Sequence, residues 1–294
     1  MEDIISRERS DSLAKIESLQ NKEKRLVIFS DYGLDDACAT VYLLNNRADY
    51  ENIDIMPIAG NVHAVTAMNN AKKLLAAAKD DGLNLSGVRL IDSVSYYQDC
   101  CTLPAIHGND GMGDVFDDVS ASPVPVLEYE EWTKSVAAGY KILSLGPCTM
   151  VKRALADAVN LPSGKIVLMG GCNRVPPNFG KYEFNDGIDH NAFVWTLRRP
   201  HVAATLDTCH VPAFNTLGAR RGGLRLLDVL MNRCTELAEL RGEKANYIYD
   251  QIAALALIHP EFFDVEEVFA PDLLRFMNEL RLKDEYAEKG YNLD

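Results

Sequence analysis

An α/β architecture is predicted, with a single open, doubly wound, mostly parallel sheet and helices on both faces. Three features of the sequence predict it. Short, continuous apolar runs recur along the chain, amphipathic helical patterns fall between them, and no low-complexity linker interrupts the series. With 294 residues and 47% hydrophobic content, the chain can bury a large core in one domain.

Taken in order, "RLVIFS" (25–30) reads as a buried strand and residues 36–45 as the helix after it. "IDIMPIAG" (53–60) precedes a helix over 63–79, and "VRLID" (88–92) is a further strand. "KILSLG" (141–146) leads to a helix over 149–159, "KIVLMGG" (165–171) to one over 190–198, and "HVAATLD" (201–207) closes the series. From Leu217 to Asp294 the chain reads as helical, with charged faces such as "RFMNELRLKDEYAEK". Residues 1–25 form an N-terminal extension ahead of a 26–294 domain, and Leu13, Ile16 and Leu19 would share one side of a helix over 10–25.

Composition excludes several classes of function. No apolar run reaches the roughly 20 residues that a spanning helix needs, and the charged N-terminus has no signal-peptide core, so a cytoplasmic protein with no membrane contact is expected. The net charge of −13 opposes binding to nucleic acid. Seven cysteines, Cys100 and Cys101 adjacent, show no CxxC spacing, which fits reduced thiols rather than a zinc site.

In open α/β sheets ligands sit beyond the carboxyl ends of the strands. There "IFSDYGLDDACAT" gathers Asp31, Asp35 and Asp36 around Gly33. Asp35 and Asp36, in the first helical turn, could simply cap the helix and complement its dipole. A cap needs only one aspartate, however, and three packed carboxylates repel unless protonated or neutralised by a cation. A hard ion such as calcium or magnesium takes oxygen ligands of this kind.

The stretch "DYGLDDA" (31–37) resembles the N-terminal signature of the inosine-uridine-type nucleoside hydrolases, an aspartate, usually Pro-Gly, a variable residue, then Asp-Asp-Ala. Further blocks follow in the family's order: "AGN" (59–61) with "MNNAKKLL", "IHGNDGMG" (106–113), "LSLGPCTM" (143–150), "IVLMGG" (166–171), "EFN" (183–185) and "YDQIAALALIHPEFF" (249–263). The similarity spans residues 26 to 265 and implies the nucleoside hydrolase fold, with its Rossmann-like core.

The resemblance also implies a function. The family hydrolyses the N-glycosidic bond of ribonucleosides with calcium as cofactor, releasing ribose and a free base for salvage, commonly as a homodimer or homotetramer. Carried onto this chain, the calcium ligands are Asp31, Asp36, the Leu145 carbonyl and Asp250, and Asp31 is also the base that takes the proton of the attacking water. Ribose contacts are implied for Asp35, Asn61, the Met169 region, Glu183 and Asn185, with Asn178 completing the set if its loop is one residue shorter than usual. His107 falls on the family's active-site loop, while His210, in "LDTCH", resembles a family position too but reads as structural.

The chain departs from the pattern at two further places. Phe29 stands where the family usually has another aspartate. Tyr249 replaces a histidine that protonates the leaving base or packs against it. With an unperturbed pKa near 10 and Asp250 as neighbour, the phenol is expected to pack rather than to donate. Trp132 and Trp195 lie outside the blocks where a purine-specific branch places its stacking tryptophans. Base choice is assigned to the loops at 95–110 and 215–248. Two other functions fit parts of the pattern. A ribosyl-ligand-binding or regulatory homologue with little turnover would keep the ion and ribose residues. A phosphohydrolase would share the aspartate-rich loop but lacks a lysine beside it and leaves "EFN" and "YDQ" without a role.

Overall fold

A computed structural model describes residues 24–47, 50–96, 100–136, 138–161, 166–218, 225–270 and 275–287. Of the helix expected over 10–25, residues 10–23 lie outside this set, and Arg25 opens a strand instead.

The chain begins with β1 (Arg25–Ser30), α1 (Leu34–Asn45), β2 (Asn52–Pro57), α2 (Ala64–Asp80) and β3 (Val88–Asp92). A short α3 (Pro104–His107) precedes β4 (Val126–Glu128) and α4 (Tyr129–Ser135), neither of which the apolar runs reveal. Then come β5 (Tyr140–Ser144), α5 (Thr149–Asp157), β6 (Ile166–Met169), α6 (Phe184–Ile188), α7 (His190–Thr196), β7 (His201–Ala204) and α8 (Leu206–Cys209). The last elements are α9 (Leu226–Leu240), α10 (Tyr249–Ile258), β8 (Phe263–Ala270), β9 (Arg275–Leu282) and α11 (Asp284–Ala287).

Among the described residues nine strands form one sheet in the order β4-β3-β2-β1-β5-β6-β7-β9-β8, with only β8 and β9 antiparallel. Strand alternation divides the core between two layers: Leu26 and Ile28 face α1, α2, α9 and α10, whereas Val27 and Phe29 face the layer of Trp132, Val151 and Phe193. Phe29 is therefore committed to the core behind the sheet. The order steps outward from β1 to β4 and then resumes at β5 on the other side of β1. That reversal opens a crevice beyond the carboxyl ends of β1 and β5, the standard place for a ligand in such sheets.

The helical expectation for the C-terminal region holds for α9 and α10 and fails after them. "FDVEEVFA" and "RFMNELRL" pair as an antiparallel hairpin from Phe263↔Leu282 to Ala270↔Arg275. Where the two strands begin to pair the period is two: Phe263 and Val265 are buried opposite buried Leu282 and Leu280, with Asp264 and Arg281 exposed between them. Of the charges in "RFMNELRLKDEYAEK" that suggested a solvated helix face, Arg281 is an outward position of β9, whereas Glu279 is buried. Among the described residues no helix is long and apolar enough to cross a membrane.

Candidate active site

Asp31 leaves the end of β1, and its carboxylate is held from β2's loop: Asn61 donates its backbone N–H to Oδ2 at 2.7 Å and its side-chain amide to Oδ1 at 3.2 Å. Glycines let the neighbouring backbones come close. A Cβ on Gly60 would lie 2.0 Å from Asp31 Oδ2, and one on Gly146, after β5, 2.9 Å from Asp31 Cγ. The next residue, Tyr32, takes a φ of 50°, which the proline usual in the family could not adopt.

Asp36 meets the capping expectation. Its Oδ2 accepts from the Gly33 N–H at 2.8 Å and its Oδ1 from the Ser30 hydroxyl at 2.7 Å. Capping does not account for Asp35 or for Asp250 on α10. Oxygens of Asp35, Asp36 and Asp250 lie within 4.8 Å of one another, and Asp36 is also within hydrogen-bonding reach of Asp31. Burial, reinforced by mutual repulsion, raises the pKa of Asp31, Asp36 and Asp250 alike. Asp35 Oδ1 is buried without a hydrogen-bond partner. Four converging carboxylates, one with an orphaned oxygen, fit a hard divalent cation.

His107 explains why that oxygen is orphaned. Its Nδ1 lies 3.7 Å from Asp35 Oδ1 but accepts the Leu34 N–H at 3.1 Å. Burial lowers the His107 pKa, so the ring is neutral at pH 7 with its proton on Nε2. Nδ1 therefore has no proton to offer Asp35.

These groups meet at a cavity of about 330 Å³. Asp35, Asn61, His107, Leu145, Met169, Asn178, Glu183, Asn185, Tyr249 and Asp250 line it, with Asp31 and Asp36 fully buried beneath. Every residue singled out for the site is thus in its wall or its floor. Asn185 donates to the Leu145 carbonyl at 2.8 Å and to that of Met169 at 3.2 Å, tying the ends of β5 and β6 together. Asn178 reaches the cavity and accepts the Phe184 N–H at 2.9 Å.

Glu183 has a structural duty as well as a place in the wall. It caps α6, accepting N–H bonds from Gly171, Asn185 and Asp186, while burial pushes its carboxyl up to about 7.

His210, read from the sequence as structural, stands beside the site: its Nε2 lies 2.9 Å from the Tyr249 hydroxyl. The Tyr249 phenol is pushed above its ordinary range, by burial first and then by neighbours that include Cys209, Asp35 and Glu183. Sequence reasoning also missed Arg241, Asn246 and Tyr247, which line the cavity from the segment after α9. Their sole signal was membership of a loop already assigned to base choice. The tryptophans are elsewhere: Trp132 is fully buried, donating to Asp54 at 2.8 Å, and Trp195 stacks under Arg199.

Comparison with known proteins adds a family. The sequence model described as inosine-uridine preferring nucleoside hydrolase matches residues 26–282. Similar solved structures include an inosine-guanosine nucleoside hydrolase, at 20% identity over 90% of both chains with a TM-score of 0.62. A purine-preferring ribonucleoside hydrolase from Gardnerella vaginalis is 19% identical over 92% of both chains, with a TM-score of 0.59. An inosine-uridine preferring nucleoside hydrolase from Bacillus anthracis is 17% identical over 90% of this chain and 98% of its own, with a TM-score of 0.57. No curated relative matches the chain.

Proposed function

Because the chain belongs to the inosine-uridine preferring nucleoside hydrolase family, we propose that it is a calcium-dependent N-ribohydrolase that releases ribose and a free base from ribonucleosides. The observation that carries this reading is the meeting of Asp31, Asp35, Asp36 and Asp250 at one cavity, with an Asp35 oxygen left unpartnered. Asp31, Asp36, Asp250 and the Leu145 carbonyl would hold the ion. When bound, it supplies the positive charge that lets these carboxylates ionise together and that acidifies water.

The chain's own groups then divide the work of an oxocarbenium-like reaction. Asp31, oriented by both Asn61 hydrogen bonds, takes a proton from the attacking water. Asp35 Oδ1 accepts a ribose hydroxyl, the hydrogen bond it lacks in the free protein. Asn61, Asn178, Glu183, Asn185 and the Met169 backbone enclose the sugar, and His107, with its proton on Nε2, offers a donor at the same wall. Tyr249 packs against the departing base. The setting we propose is nucleoside salvage in the cytoplasm by a homodimer or homotetramer.

A reducing-sugar assay across a nucleoside panel, with and without calcium, tests the reading. Ribose release that disappears on chelation and returns with calcium is expected. Release from no nucleoside would leave the ribosyl-binding alternative, which the substitution at Tyr249 favours.

Tyr249 gives a second test. Tyr249→Phe should keep kcat within about threefold on nucleosides, because a phenol whose pKa is driven up by burial is a poor acid. Tyr249→Ala should raise KM. A loss of about 10²-fold in the Phe variant, absent with p-nitrophenyl riboside, whose leaving group needs no proton, would assign Tyr249 the role of general acid.

A further inference from the structure

Three rings from two distant segments meet beside the cavity. Tyr247 and Tyr249 frame the start of α10 and line the wall, while His210 follows α8 and stands behind them. The His210 ring stacks on Tyr247 with centroids 4.6 Å apart and an interplanar angle of 21°, and its Nε2 lies 2.9 Å from the Tyr249 hydroxyl. The tyrosine rings are themselves 6.3 Å apart, within the range of aromatic pairing. One imidazole therefore locks two side chains that the backbone alone would leave free to turn. Burial lowers its pKa, which keeps it neutral at pH 7 and able to stack without a charge to desolvate.

The rest of the cavity leaves this wall for the leaving group. The sugar side is polar, made by Asp35, Asn61, Glu183 and Asn185, and neither tryptophan reaches the site. The two phenylalanines in the wall, Phe179 and Phe184, pair edge to face with each other and flank the sugar-side asparagines. We propose that His210 is a positioning residue for base recognition: by bonding Tyr249 and stacking on Tyr247, it holds both rings as one wall against the flat heterocyclic base. This inference rests on the nucleoside reading above and adds to it the determinant of affinity for the leaving group.

The test separates base from sugar. Calorimetry with hypoxanthine, uracil and ribose as separate probes would be run on the calcium-loaded wild type, His210→Ala and His210→Phe, beside steady-state kinetics on inosine and uridine. His210→Ala should weaken whichever base the wild type binds by about tenfold, the sum of a lost stack and a lost hydrogen bond. KM for the matching nucleoside should rise by a similar factor, with kcat within about twofold and ribose affinity unchanged. His210→Phe, which keeps the stack but not the bond, should fall between, and it serves if the alanine variant does not fold. Equal weakening of base and ribose would mean general loosening of the site and would overturn the proposal. So would unchanged base affinity in His210→Ala, or a wild type that binds neither base. A wild type that cleaves neither nucleoside yet binds a base in a His210-dependent way would uphold the base wall and sink the hydrolase reading instead.

Discussion

Asp36→Ala and Asp250→Ala should each abolish calcium binding and nucleoside hydrolysis together, with a loss of about 10³-fold or more in kcat/KM. Both side chains are buried and face the other aspartates. Removing either takes one ligand from a small set and leaves a cluster too weakly charged to strip a hard cation of its water. Asp35→Ala should behave differently, keeping the calcium-induced thermal shift while KM rises and kcat falls, because a ribose hydrogen bond contributes to binding and more strongly to the transition state. Loss of the ion in Asp35→Ala with its retention in Asp36→Ala would place the motif out of register.

The same cluster sets the pH dependence of the calcium-free protein. Burial raises Asp36 from its ordinary 3.8 to about 6 in the folded state. A raised folded pKa means that the native state holds a proton the unfolded chain has released, so this contribution to stability is full below about pH 4 and is lost as pH rises through about 6. Chelated protein should therefore lose Tm between pH 4 and 7, and calcium should restore it. Asp36→Asn in chelated protein should flatten that decline while remaining inactive. A chelated wild type whose Tm rises over this interval would contradict the assigned electrostatics.

The second large effect is expected at a residue with no side chain. In Gly60→Ala the new methyl would sit 2.0 Å from Asp31 Oδ2 and 2.7 Å from Asp31 Cβ, far inside van der Waals contact. Gly60 is not among the left-handed glycines, so the alanine backbone itself is unstrained. Relief must come from displacing Asp31, which Gly146 crowds from the β5 side. Overpacking of this kind costs about 1–3 kcal/mol, and a shift of about 1 Å in a catalytic group costs about 10² in rate. Activity should thus fall by about two orders of magnitude while Tm drops by only several degrees. A variant with lowered Tm and full turnover would show that Asp31 tolerates the shift.

What could be read from the sequence follows from the range of the interactions involved. The parallel half was legible because strands buried on both faces are apolar throughout, and β1, β3, β5 and β6 announce themselves in "RLVIFS", "VRLID", "KILSLG" and "KIVLMGG". The β8–β9 hairpin reads as helix because both strands carry charge, on the β8 edge at Asp264 and Glu267 and on β9 at Arg281 and the buried Glu279, which breaks the apolar run that marks the parallel strands. Asp31, Asp35 and Asp36 were legible as a local cluster. Asp250 lies more than 200 positions away and was reached only through resemblance. His210 was visible as a family-like position, but its contacts with Tyr247 and Tyr249 are tertiary and no local pattern encodes them. Gly60 escaped for a similar reason, since a missing Cβ signifies nothing until the opposing carboxylate is in place.

The late position of the hairpin has a consequence during synthesis. Glu279 on β9 is almost fully buried and grips the loop after β6, through Asn173 and, at 2.6 Å, Arg174, and it also accepts the Thr205 hydroxyl at 3.0 Å. That loop carries Asn178 to the cavity. Every candidate site residue, up to Asp250, is translated before Phe263, so a nascent chain holds all of them while β7 still shows a bare edge to which β9 must add. The stretch that extends the sheet past β7 and fastens this loop is thus made after every candidate site residue. Ribosome stalling or premature termination between Pro260 and Glu279 would yield a product that holds every candidate site residue, with an exposed strand edge ready to pair with another copy.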